Sequence, residues 1–419
     1  MINGTPNDSI FLNQRRYEDS PEVGICKRDE FQRDRDRIMH SRAFRRMMHK
    51  TQIFNANMGD HYRNRLTHTL EVCQIARSIG KVLGLNDELI EAIALGHDLG
   101  HTPFGHIGER TLHEILMNGA ISEETKIDQG FKHNFQSLRV VDELESRCSS
   151  YYGLNLTLAV REGMLKHTSI SAKKGGPPIV FPEGDFRNID LGAPAFTFEG
   201  QVVALADEIA QCTHDLEDGV RSKIISFDAI RNDPFVTKVI NEGGINLDEN
   251  TKTPTYDTRS LIIKNMVGYF IKDACAESSK RIDSYLSEYS PRYSSQRDCI
   301  NEKCIMLSQE VESSRKRIYK NMIVNRVICS EQISISDSKS EYLIKQLFKA
   351  FYTHPKQLPD YVLEKYCRRN KIDFNRATLN AKTLQADSKF IRTICDHISG
   401  MTDQFAAREY NRLYVPEYK

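Results

Sequence analysis

The chain lacks most of the features that would assign it quickly to a class. Its 58 basic and 57 acidic residues leave a net charge of +1, so no global field draws it to nucleic acid. Ten cysteines are scattered without a CxxC pair or regular spacing. Cys26, Cys73, Cys148 and Cys212 fall within helical patterns and read as small buried or half-buried residues. No apolar run approaches the roughly 20 residues a membrane span needs. The opening stretch MINGTPNDSIFLNQRRYEDS has neither the basic nor the apolar region of a secretory leader. These absences predict a reduced, cytoplasmic protein with no membrane partner. Internal repeats and low-complexity tracts are missing, and alternating strand patterns are few.

What is present is helical periodicity over a length, 419 residues, that can bury a sizeable core. Residues 1–28 are polar, carry Pro6, Pro21 and Gly24, and read as a loosely held N-terminal arm. From Arg28, apolar residues recur every three or four positions (Phe31, Ile38, Ala43, Phe44, Met47, Met48), while Arg33 to Arg37 alternate in sign as on a salt-bridged surface helix. A second wide stripe runs from Leu66 to Leu83 with His68 on or beside it; alone, a histidine there reads as a satisfied core residue. Residues 171–197 concentrate Gly and Pro and predict a long loop with a short hairpin, in the manner of a lid or substrate rim. Helical pattern resumes at Phe198 with Asp207 inside the apolar stripe, where a carboxylate needs a partner. Beyond Ser226 helices dominate, with loops expected near Gly243–Tyr256 and Ser334–Ser340. The prediction is an all-α fold: a catalytic core over 29–225, and a helical C-terminal region over 226–419 packed on it.

Chemistry concentrates in EAIALGHDLGHTPFGHIGE, residues 91–109, which holds three histidines, Asp98, Glu109 and four glycines after an apolar helix. Adjacent His97 and Asp98 at a buried helix end are costly without a partner, and a divalent cation is one. With His68 and Asp207 on other helices they form a two-histidine, two-carboxylate set. Mixed N/O ligation of this kind suits Mn²⁺ or Mg²⁺, with Fe²⁺, Co²⁺, Ni²⁺ or Zn²⁺ as further candidates, and does not read as a structural thiolate site.

The ordered segments RDRDRIMHSRAFRRMMHKTQIF, HYRNRLTHTLEV, HDLGHTPFGHIGE, GFKHNFQSLRVV, ALADEIAQCTHDLEDG and ISGMTDQFA resemble the HD-domain phosphohydrolases, and within them the deoxynucleoside triphosphate triphosphohydrolases. The resemblance implies an HD helical core and hydrolysis of a deoxynucleoside triphosphate, dGTP among them, to deoxynucleoside and inorganic triphosphate. It assigns His68, His97, Asp98 and Asp207 as metal ligands. It also assigns His106 and Glu109 as a catalytic pair and His133 as a further active-site histidine. Arg65 would hold a phosphate; Gln52 and Asp215 would meet the deoxyribose, with Tyr319 stacking under it. Lys166, His167, Lys173 and Lys174 are candidates for further triphosphate contacts, and His101 and Gly100 for lining the site. Gln211 departs from the pattern, since the family usually has Tyr there beside the sugar; an amide weakens a steric gate against a 2′-hydroxyl. A homo-oligomer, hexameric or dimer-based, is also implied by the resemblance. A nucleotide or single-stranded nucleic-acid binding regulator is the contrasting expectation, motivated by the basic cluster Arg42, Arg45, Arg46 and Lys50.

Overall fold

The computed structural model describes residues 4–19, 28–54, 61–127, 130–147, 150–168, 190–245 and 255–416. Every regular element among them is helical, and two isolated bridges, Thr51 with Asn64 and Ser146 with Gly153, are the strand-like pairings. The loop-and-hairpin expectation for 171–197 falls largely outside the described residues. No described helix is long and apolar enough to cross a membrane.

The first half of the chain forms α1 (Glu30–Met39), α2 (Arg42–Arg46), α3 (Arg65–Leu83), α4 (Asp87–Gly96), α5 (His106–Asn118), α6 (His133–Arg139), α7 (Leu158–Leu165) and α8 (Phe198–Arg221). Local chemistry sets their ends. Asn64 caps α3 in a reciprocal box with Thr67, and Gly84 closes that helix in the left-handed region at φ 71°. Asn86 accepts from Leu89 N to start α4. Leu89, Ile90 and Ala92 through Gly96 are all buried, which leaves His97 and Asp98 at the inner end of an enclosed helix.

The second half adds α9 (Phe227–Arg231), α10 (Pro234–Glu242), the long α11 (Tyr256–Glu288) and α12 (Gln309–Ile318), which runs on as a π-helix through Tyr319–Ile328. Then come α13 (Glu331–Thr353), α14 (Asp360–Arg369), α15 (Ala381–Gln385), α16 (Ser388–Ser399) and α17 (Asp403–Tyr414). Ser334–Ser340 is therefore helix and not loop. The serines are accommodated because Ser330 caps α13 while Ser338 and Ser340 turn their hydroxyls back to the carbonyls of Ser334 and Ser336.

Two hydrophobic cores result. The larger gathers α1, α3, α4, α7, α8, α11 and α12. The smaller is built on one face of α5 (Leu112, Ile115, Leu116) against α13, α14 and α16. The segment carrying His106 and Glu109 is thus held between the two.

The N-terminal stretch is not loosely held over residues 4–19. Leu12 is fully buried, Thr5 donates through N and Oγ1 to Glu199, and the carbonyls of Leu12 and Gln14 accept from Ala159 N and Leu158 N. Nor is the charged run of α1 wholly on the surface. Asp34 has no exposed area; it accepts from Thr157 N at 2.7 Å and pairs with Arg15 Nη1 at 2.6 Å. Asp34→Ala should therefore cost about 3–5 kcal/mol, the scale of breaking one half of a buried ion pair. The denaturant midpoint reads it, and a shift equal to that of an exposed α1 substitution would contradict the assignment.

Candidate active site

The end of α4 is the centre of the site. His97 Nδ1 donates to Ala94 O at 2.6 Å, so its Nε2 is the free nitrogen that faces inward. That Nε2 is buried with no hydrogen-bond partner, 3.4 Å from Asp98 Oδ1 and 3.8 Å from Asp207 Oδ1. His68 on α3 brings its Nε2 to 3.0 Å from Asp207 Oδ1 on α8. One donor atom each from His68, His97 and Asp98 lies within 4.8 Å of the others, all three residues buried. Burial alone would raise Asp207, yet His68 and His97 hold it down at about 2. Asp98 is likewise kept well below the carboxylate range, against burial, by His101, His97 and Arg65. Two ionised carboxylates and a partnerless imidazole nitrogen at this range fit a divalent cation. The four residues singled out in the sequence as ligands are thus brought together.

Beside this set stands a second cluster. Glu109 Oε2 accepts from His133 Nδ1 at 2.5 Å and Oε1 from Lys132 Nζ at 2.9 Å. The sequence pairs Glu109 with His106, but the structure seats His133 and Lys132 on that carboxylate. His106 opens α5 just beyond Phe104 and Gly105, both at positive φ, and keeps part of its surface exposed. Burial, then Arg65, pull its pKa down to about 4. His101 lies flat on His133 at a 4.0 Å centroid distance and donates through Nε2 to Asp98 Oδ1, 3.0 Å away.

His167 completes the row. Its Nδ1 faces Met164 O at 2.7 Å and its Nε2 approaches His133 Nε2 at 3.3 Å. The histidines thus connect the two carboxylate centres. His167 was one of four loosely grouped candidates in the sequence, and its neighbour Lys166 is not part of the site. Lys166 Nζ pairs with Glu162 at 3.2 Å and donates to Pro194 O. Lys173 and Lys174 lie outside the described residues.

The remaining candidates surround the same interior. Arg65 Nη1 holds Asp98 Oδ2 at 2.7 Å, while its Nε and Nη2 are buried without partners. Gln52 Oε1 and Asp215 Oδ2 are also buried and unpartnered. Burial, then Asp218, raise Asp215 well above the carboxylate range, and burial with Asp215 nearby pushes Tyr319 up to about 12. Gln211 is half-buried on α8, one turn beyond Asp207. Buried donors and acceptors of this kind are expensive unless something polar meets them.

Three further residues support the site, of which Gly100 was expected to line it and Lys50 was read as part of a basic cluster. Lys50 donates to His101 O and to Ser399 O, 2.9 Å for the latter. Asp403, the first residue of α17, accepts from Thr51 N and Phe104 N at 2.8 Å each. Gly100 has no room for a side chain, because a Cβ there would lie 2.1 Å from Ser137 N and 2.4 Å from His133 O. The turn after Asp98 is thereby pressed against the start of α6.

Residues 65–211 match the HD domain family, and residues 305–412 match the phosphohydrolase-associated domain. The chain is 34% identical to a deoxyguanosinetriphosphate triphosphohydrolase-like protein of Rhizobium meliloti, over 94% of this chain and 91% of that one. Proteins of the same description from Brucella suis and Bartonella tribocorum are each 33% identical, over 94% and 92% of this chain and 91% and 90% of theirs.

Proposed function

Because the chain belongs to the HD-domain family of deoxyguanosinetriphosphate triphosphohydrolase-like proteins, we propose that it hydrolyses deoxynucleoside triphosphates, dGTP among them, to the deoxynucleoside and inorganic triphosphate. The observation that carries the reading is the adjacency of the His68, His97, Asp98 and Asp207 donors to the Glu109–His133 pair. A divalent cation held by those four residues, Mn²⁺ or Mg²⁺ being the first to try, would lower the pKa of water and polarise a phosphoryl oxygen.

This chain's own residues then have distinct tasks. Arg65, fixed by Asp98 through one nitrogen, offers its unpartnered Nε and Nη2 to phosphate oxygens. Gln52 and Asp215 meet the sugar hydroxyl with their unpartnered oxygens, Asp215 in the protonated form that its surroundings favour, and Tyr319 packs beneath the ring. Water loses a proton as it forms a bond to the α-phosphorus, the bond to the 5′-oxygen breaks, and that oxygen gains a proton. His106 and His133, with Glu109 behind the latter, manage that proton. The division into a catalytic core over 29–225 and a supporting region over 226–419, and assembly into a homo-oligomer, belong to the same proposal.

Product analysis tests it. Intact triphosphate released from a dNTP with Mn²⁺ or Mg²⁺ is the expected result; pyrophosphate or monophosphate as the product would overturn it. Gln211 favours a second reading, a phosphohydrolase of the same family with another nucleotide as substrate. If Gln211 leaves room beside the sugar, Gln211→Tyr should lower kcat/KM for ribonucleotides relative to deoxyribonucleotides by about 10- to 100-fold, the discrimination available from one added steric group. An unchanged ratio would remove Gln211 from the sugar pocket.

A further inference from the structure

His68 leans on a second histidine that lies outside the proposed ligand set. Both rings come from long helices of the larger core, His68 from α3 and His214 from α8. His214 stands two helical turns beyond Asp207, on the same face of α8. That helix therefore meets the His68 ring twice. Asp207 Oδ1 lies 3.0 Å from its Nε2, and His214 Nδ1 lies 3.4 Å from its Nδ1. The two rings stand edge to face at 90°, with centroids 5.6 Å apart. Their side chains are only 1% and 5% exposed, so the contact is shielded from solvent.

Two ring nitrogens that face each other share one proton, and its place decides whether His68 can bind a cation. A neutral imidazole carries its proton on one nitrogen and accepts with the other. With the proton on Nε2, His68 donates to Asp207 and has no lone pair for a metal there. With the proton on Nδ1, Nε2 is free to ligate and Nδ1 must donate. Among the described residues, the acceptor within reach of that proton is His214 Nδ1. Glu71 Oε2 also approaches His214 Nδ1, at 3.4 Å, but Arg63 Nε holds that oxygen at 2.8 Å. The carboxylate is engaged, and the His214 lone pair is left for His68. Metal-bound histidines almost always pass their second ring proton to a carboxylate, a backbone carbonyl or water. His97 does so through Ala94 O. His68 has an imidazole in that place instead, a group that can accept or donate where a carbonyl only accepts.

We propose that His214 is a positioning residue for the metal site: it accepts the Nδ1 proton of His68, fixes the tautomer that leaves Nε2 free to ligate, and so sets the affinity for the divalent cation. The role rests on the four-residue metal site proposed above, and not on which nucleotide is hydrolysed.

Calorimetric titration of the metal-free, full-length protein with Mn²⁺ tests it, with two substitutions that separate hydrogen bonding from packing. Leucine approximates the bulk of the ring and has no acceptor; asparagine offers an amide oxygen at the reach of Nδ1. His214→Leu should bind Mn²⁺ about 10- to 100-fold more weakly than the native chain, the cost of losing an outer partner of a metal-bound histidine. His214→Asn should bind it nearly as tightly as the native chain. Native affinity in His214→Leu overturns the proposal, and so does an equal loss in both variants. Ring-nitrogen NMR spectra of the native protein loaded with diamagnetic Zn²⁺ need no substitution, and so decide the matter even where a variant fails to fold. His214 should carry its proton on Nε2 and leave Nδ1 bare; a protonated Nδ1 overturns the assignment. A native chain that binds no Mn²⁺ overturns the metal site and this role together, whereas native binding that His214→Leu leaves unaltered overturns this role alone.

Discussion

His97→Ala should lose divalent-metal binding and at least about 10³-fold in turnover, the scale on which removal of one essential electrostatic group acts, while remaining folded. The reason for expecting a clean loss is the isolation of His97 Nε2, which has no partner within the protein. Truncation forfeits one bond to Ala94 O and a ring contact with His167, whose centroid lies 5.0 Å away. Asp98→Asn makes the contrast. It would abolish activity too, but it leaves the buried Arg65 without its 2.7 Å counter-charge, so a stability loss of about 3–5 kcal/mol should accompany it. Calorimetric titration with Mn²⁺, thermal melting and kcat separate the two variants. Hydrolysis within tenfold of native in His97→Ala would refute the metal site.

Glu109→Gln should reduce kcat by about 10²- to 10⁴-fold, the contribution of positioned proton transfer, with little change in KM. The ionised Glu109 carboxylate is held well below its usual range, against burial, by His133 and Lys132. An amide keeps the shape but offers a single oxygen and no charge to the imidazole. The histidine row loses its anchor at that end, and the proton on His133 loses the charge that favours it. A matching fall in substrate affinity with kcat preserved would show that Glu109 only shapes the pocket.

The metal-binding half of this picture was legible in the sequence because its signals are local. His97 and Asp98 follow an apolar helix, and His68 and Asp207 interrupt apolar stripes, so each residue declares a buried polar group. Contacts that depend on direction were not legible. His106 and Glu109 share a helix turn, but the approach of α6 decides that Glu109 faces His133. Lys166 read as a phosphate ligand by type, whereas its i−4 neighbour Glu162 claims it. Composition misled at the N-terminus, where polar residues surround the fully buried Leu12, and at Ser334–Ser340, where hydroxyl-to-carbonyl bonds satisfy the serine side chains within the helix. The tying roles of Lys50, read only as one of a basic cluster, and of Asp403 could not be read. Lys50 reaches Ser399 and Asp403 reaches Thr51 across 349 and 352 residues of chain.

Those two long ties also govern the order in which the protein can become competent during synthesis. All four proposed ligands have been added to the chain by residue 207, yet the Thr51 and Phe104 amides that border their turn wait for the Asp403 carboxylate. Lys50 waits likewise for Ser399. A growing polypeptide therefore carries the complete ligand set through nearly half of its translation before the frame around it can close. A product interrupted ahead of Asp403 would retain every ligand and lack the enclosure that aligns them, so premature termination this late in the message would be as damaging as termination early in it.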